Sequence, residues 1–131
     1  MSTPLILITN DDGYNAKGIT SLVNAVKDFG EILIVAPDKP QSGMGHAITV
    51  NEPIRCYETT QFKNIKAYCC TGTPVDCIKM GMFLLKERKP DYILSGINHG
   101  SNVSTNVLYS GTMSAAVEGA LEGVPSIGFS L

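Results

Sequence analysis

Apolar positions along the chain come in short runs separated by polar, glycine-bearing stretches. Residues 5–9 (LILIT) form a run closed abruptly by polar turn residues, the pattern of a strand buried on both faces. Ile19, Leu22, Val23 and Val26 then recur at helical spacing, and Gly30 ends that helix. Residues 31–36 (EILIVA) read as a second buried strand, stopped by Pro37-Asp38. After a polar loop, PDKPQSGMGHA, short half-exposed strands are predicted at 48–50, 54–57 and 65–69. Thr73-Pro74 opens a helix, with a hydroxyl N-cap and proline at the first helical position. Val75, Ile78, Met82 and Leu85 supply its apolar stripe, and Lys86, Arg88 and Lys89 suit its C-terminal end. A strand at 92–95, a loop at 96–111, a small-residue helix at 112–121 and a strand at 126–129 complete the series.

Strands alternating with helices predict one α/β domain over 1–131, a mainly parallel sheet with flanking helices. The last strand should lie beside 92–95, with Ile127, Phe129 and Leu131 more exposed than such residues usually are. In parallel sheets ligands bind outside the carboxyl ends of the strands. The polar loops 10–18, 37–47 and 96–111 leave such ends, so strand polarity brings Asp11, Asp12, Ser42 and Asn98 toward one edge.

Chemistry is concentrated in these loops. Asn10-Asp11-Asp12-Gly13 places two repelling carboxylates at the end of a buried strand. With a hydroxyl from Ser42 and an amide from Asn98 they make an all-oxygen donor set suited to a hard cation; the alternative is a solvated turn. Ser110-Gly111-Thr112 precedes a helix whose free N–H groups and dipole favour an anion, or else it simply caps that helix. Ser42-Gly43-Met44-Gly45-His46 is also compatible with phosphate, although Ile48 stands where a dinucleotide fingerprint needs glycine. His46 faces a substrate or is a surface histidine. There is no P-loop and no G-x-S-x-G.

Composition narrows the classes. The 131 residues carry a net charge of −2 without clustered Lys or Arg, which gives no reason to expect a nucleic-acid or membrane surface. No apolar run approaches the length of a membrane span, and MSTPLILITN does not read as a signal peptide. Cys56, Cys69, Cys70 and Cys77 contain no C-x-x-C pair, and with His46 and His99 they complete no zinc spacing. Reduced thiols predict a cytoplasmic protein, in which the Asn102-Val103-Ser104 sequon stays unglycosylated.

The segments ILITNDDGYNAKGI, VAPDKPQSGMGHAITV, GTPVDCIKMG, PDYILSGINHGSN and VLYSGTMSAAVEG occur in that order over nearly the whole chain. Together they resemble the SurE (survival protein E) family of metal-dependent nucleotide phosphatases. The resemblance implies a Rossmann-like three-layer α/β/α fold and hydrolysis of nucleoside 5′- or 3′-monophosphates. It implies one divalent cation per subunit, Mg²⁺ or Mn²⁺, held by Asp11, Asp12, Ser42 and Asn98. It places Asn10, Gly43, His46, Asn102, Ser110, Gly111 and Thr112 around the substrate, with Asp11 and Asp12 catalytic and Asp11 the better candidate for general base. Ser104-Thr105 departs from the Gly-Asp of many relatives. Family members run to about twice this length, and the resemblance implies a further C-terminal part that carries elements used to form dimers and tetramers. A second reading is a nucleotide-binding regulator without turnover. An aspartyl-phosphate mechanism is disfavoured, because Asn10 lies two before Asp12 and Gly13 two after Asp11, so no D-x-D is formed.

Overall fold

The structure, a computed structural model, describes residues 3–40, 53–98 and 111–130. Nine elements follow one another: β1 (Leu5–Thr9), α1 (Lys17–Val26), β2 (Glu31–Pro37), β3 (Cys56–Thr59), β4 (Lys66–Cys70), α2 (Pro74–Leu84), β5 (Tyr92–Asn98), α3 (Gly111–Leu121) and β6 (Ser126–Ser130). The six strands form one sheet in the order β3-β4-β2-β1-β5-β6. All neighbours are parallel except β3, which runs antiparallel to β4.

β1 lies between β2 and β5 and is buried along its whole length. Its side chains alternate between two cores. Ile6 and Ile8 join Ile19, Leu22 and Val23 of α1, whereas Leu7 joins Ile78 of α2 and Ala115 of α3. Right-handed crossovers explain this division. The connection through α1 moves one way along the sheet, from β1 to β2; those through α2 and α3 move the other way, to β5 and β6. The helices therefore cover opposite faces, giving three α/β/α layers. The order of connection reverses between β1 and β5, so a crevice opens outside their carboxyl ends.

Local contacts set this frame. Thr73 and Asp76 form a reciprocal capping box: Thr73 Oγ1 accepts from the Asp76 N–H (3.2 Å), and Asp76 Oδ2 accepts from the Thr73 N–H (2.9 Å). Lys79 Nζ lies 3.0 Å from Glu118 Oε2 and 3.7 Å from Glu122 Oε2, joining α2 to α3. At Gly18 an added Cβ would come within 1.9 Å of the Ile97 carbonyl oxygen, so glycine lets the first turn of α1 rest on the end of β5.

Boundaries differ from the sequence pattern in three places. β3 occupies Cys56–Thr59 rather than 54–57, and the expected strand at 48–50 lies outside the described residues. β5 continues past Ser95 through Gly96, Ile97 and Asn98, where a loop is predicted. Gly96 (φ 139°) sits where the register against β6 slips, between Ser95 and Asn98, and a bulge of this kind reads as a turn in sequence. α2 ends at Leu84, so the basic residues lie beyond it, and Arg88 instead reaches Asp91 (3.2 Å) and the Thr3 carbonyl. β6 forms one edge of the sheet; Ile127 is 50% exposed, Phe129 packs against the α1-side core, and Leu131 lies outside the described residues.

The capping box should contribute measurably to stability. Asp76→Ala leaves the buried Thr73 N–H without its side-chain acceptor and is expected to cost about 2 kcal/mol in urea unfolding. An unchanged midpoint would show that the box contributes nothing.

Candidate functional site at the carboxyl ends of β1 and β5

β1 ends in a turn that its own side chains build. Asn10, 1% exposed, donates from Nδ2 to the Gly13 carbonyl (2.7 Å), and its Oδ1 accepts from the Gly13 N–H (3.2 Å). Gly13 takes φ 103°, a conformation that a side chain would strain. The Tyr14 N–H then donates to the Pro37 carbonyl (2.9 Å), tying the turn to the end of β2. The segment between Asn10 and Gly13 is thereby fixed over the crevice, and it carries Asp11 and Asp12.

Asp11 is 6% exposed, and its Oδ1 is buried without a hydrogen-bond partner among the described residues. Burial, and then the neighbouring Asp12 carboxylate, push its carboxyl up from 3.8 to about 6. Asp12 is half-buried. Asn98 ends β5, the parallel neighbour of β1, and is also half-buried. Two carboxylates and an amide therefore leave two adjacent strands at the same end of the sheet.

Among the described residues, four more buried oxygens without partners belong to Thr9, Ser95, Thr112 and Ser114. Thr9, at the end of β1, is the register partner of Ser95 within β5, and Ser95 is paired in turn with Gly128 of β6. Thr112, in the first turn of α3, stands over Gly128, where an added Cβ would come within 3.4 Å of its Cγ2. Nearly all buried polar groups in native proteins have partners, so this grouping marks a place where a polar ligand can be held. It joins the carboxylates to the amino-terminal turn of a helix, where N–H groups and the dipole favour an anion.

Of the residues singled out from sequence, Asp11, Asp12, Asn98 and Thr112 are therefore found at the carboxyl end of the sheet. Asn10 supports the turn from within, and Gly111 opens α3. Ser42, Gly43, His46, Asn102 and Ser110 lie outside the described residues. Thr9, Ser95 and Ser114 are not singled out from sequence; Thr9 and Ser95 carry one signal there, a hydroxyl closing an apolar run, LILIT or YILS, and Ser114 carries none. Among the described residues, no group of three or more His, Cys, Asp or Glu is placed to hold a metal, and no helix is long and apolar enough to cross a membrane. A groove of about 710 Å³ lined by Lys27, Glu31, Lys63 and Lys66 lies at the amino ends of β2 and β4, the opposite end from the carboxylates.

The family model described as Survival protein SurE matches residues 6–131. The chain is 58% identical over 132 aligned positions to the 5′-nucleotidase SurE of Cytophaga hutchinsonii, covering 100% of this chain and 51% of that protein. It is 57% identical over 131 positions to the 5′-nucleotidase SurE of Christiangramia forsetii, covering 98% of this chain and 50% of that protein. The crystal structure of the SurE protein from Aquifex aeolicus superimposes with a TM-score of 0.86 at 44% identity, covering 97% of this chain and 50% of that one. The chain thus spans about half the length of the curated relatives it matches.

The Asp11 carboxyl predicts a pH dependence of stability. The unfolded chain ionises near 3.8 and the folded chain near 6, so the folded state binds the proton more tightly. Stability is full below the unfolded value and falls as pH rises through the folded one, by about 3 kcal/mol for this group. In chelator-containing buffer, urea unfolding between about pH 4 and pH 7 should show this loss. Asp11→Asn should flatten the slope and raise stability at neutral pH; a slope that persists in the variant would assign it to other groups.

Proposed function

The chain belongs to the SurE family, and from that premise we propose that it carries the metal and phosphate site of a phosphatase that hydrolyses nucleoside 5′- or 3′-monophosphates. The observation that carries this reading is the meeting of Asp11 and Asp12 with the amino-terminal turn of α3 at one end of the sheet. The 5′-nucleotidase names of its relatives support the reaction class.

The residues present fit a hard divalent cation. Asp11 Oδ1 is buried and unpaired, and the repulsion that raises its carboxyl is relieved by a positive charge. Mg²⁺ or Mn²⁺ would be held by Asp11, Asp12, Ser42 and Asn98, and when bound would supply charge neutralisation and polarisation of a phosphoryl oxygen.

The chain's own groups account for the remaining work. The N–H groups that open α3 and the hydroxyls of Ser110 and Thr112 hold the phosphoryl oxygens, where charge spreads as the bond to the leaving oxygen breaks. Gly111 keeps that approach free of a side chain, and Gly43, His46 and Asn102 complete the substrate shell together with Asn10. Asp11 orients the attacking water and accepts its proton. The whole protein acts in the cytoplasm as a dimer or tetramer, without a nucleic-acid or membrane partner.

Phosphate release from a panel of nucleoside 5′- and 3′-monophosphates, with and without Mn²⁺, tests the proposal on the full-length protein. Asp11→Asn should abolish metal-dependent release while the fold is retained. Thr112→Val should lower kcat by about tenfold to a thousandfold if its hydroxyl meets the transition state. A loss of about 1 kcal/mol in stability with unaltered kinetics would reduce Thr112 to a capping residue. Tight nucleotide binding without phosphate release would favour the regulator reading.

A further inference from the structure

Three thiols converge at the end of β4, on the side of the sheet covered by α2. Cys56 of β3 and Cys70 of β4 are direct partners in the antiparallel pair, and both belong with Cys77 of α2 to the same core. The Cys77 and Cys56 thiols lie close enough to Cys70 to act on its ionisation, and Cys77 and then burial hold its thiol well above the ordinary range. Cys70 and Cys77 are fully buried, whereas Cys56, on the edge strand, is half-buried. Cys69 points elsewhere, its thiol 3.7 Å from the Tyr57 carbonyl oxygen.

The ladder fixes the spacing of the first two. The Thr71 N–H donates to the Arg55 carbonyl (2.9 Å), so the flanking residues 55 and 71 occupy the hydrogen-bonded site. Cys56 and Cys70 therefore face each other across a non-hydrogen-bonded site, where the Cα atoms of opposed residues lie about 4.5 Å apart. That separation falls within the range of about 4.4–6.8 Å that a disulfide spans.

We propose that Cys56 and Cys70 are a modification site, at which a small disulfide reagent from the surroundings closes a cross-strand disulfide between β3 and β4. The Cys56 thiolate, the accessible one, attacks a sulfur of oxidised glutathione and expels one glutathione thiolate. The Cys70 thiolate then attacks the Cys56 sulfur of the mixed disulfide and expels the second. The protein loses two hydrogens, the two protons passing to the departing thiolates, and the reagent is reduced to two thiols. Cys77 is fully buried whereas Cys56 is half-buried, so the reagent meets Cys56 first and Cys77 stays reduced. Burial and then Cys70 push the Cys56 thiol up to about 12, so the exchange is slow at neutral pH and is best driven in mild alkali.

The folded chain, incubated with oxidised glutathione at about pH 8.5 and quenched with an alkylating agent, should lose two hydrogens by intact mass. Peptide mapping should join Cys56 to Cys70, with Cys77 alkylated only after unfolding. The oxidised form should melt about 5 °C or more above the reduced form, because the bond restricts the unfolded chain. Cys56→Ser should form no internal disulfide. A link between Cys70 and Cys77, a glutathione adduct that persists on Cys56, or no mass change in the folded wild-type chain would each overturn the proposal.

Discussion

The enclosure of β1 on every side is the constraint from which the rest follows. A strand with sheet neighbours on both edges and helices over both faces has no solvent-facing position, so it must be apolar throughout. Ile6 and Ile8 serve one core and Leu7 the other, and a polar residue at any of these positions would be buried without water. Polar chemistry is thereby displaced to the point where the strand stops. The change from LILIT to Asn10-Asp11-Asp12-Gly13 is the sequence form of that boundary. Asn10 makes it sharp, because an amide bonded to Gly13 twice turns the chain within four residues.

The same constraint explains which parts of the fold are legible in sequence. β1, β2 and the body of β5 are buried on both faces, and their apolar runs have no other reading. α2 is marked at its start by Thr73, Pro74 and Asp76, three residues with separate reasons to begin a helix. β3 is less distinct: half-exposed and four residues long, it leaves little pattern, and its placement depends on pairing with β4. The end of β5 is hidden for another reason. Gly96 and Asn98 are ordinary loop residues, and only the pairing of Asn98 with Ser130 beyond the bulge keeps this end of β5 in the sheet.

Legibility of the candidate site divides along similar lines. Adjacent carboxylates after a buried strand stand out because their repulsion demands an account. Thr9 and Ser95 do not stand out. A hydroxyl at the end of a buried strand looks the same in sequence whether it is hydrogen-bonded or not. Their significance lies in register, which sets them side by side, and in α3, which closes over the neighbouring Gly128. Long-range packing of that kind has no local signature.

These unpaired groups are costly, and the scale of the cost bears on what they are for. At neutral pH the buried Asp11 charge takes about 3 kcal/mol from a total that for a domain of this size is about 5–15 kcal/mol. Asp11→Asn would relieve that burden with little change in shape, so packing does not account for the carboxylate. The proposed cation, which would bind only the folded state, does. A cation present at about a hundred times its Kd contributes about 2.7 kcal/mol, close to what the carboxylate removes. On that proposal, the stability of the metal-free chain and its affinity for a hard cation are two readings of one interaction. A change that eases the first, whether by neutralising Asp11 or by giving its Oδ1 a partner within the protein, weakens the second by a comparable amount.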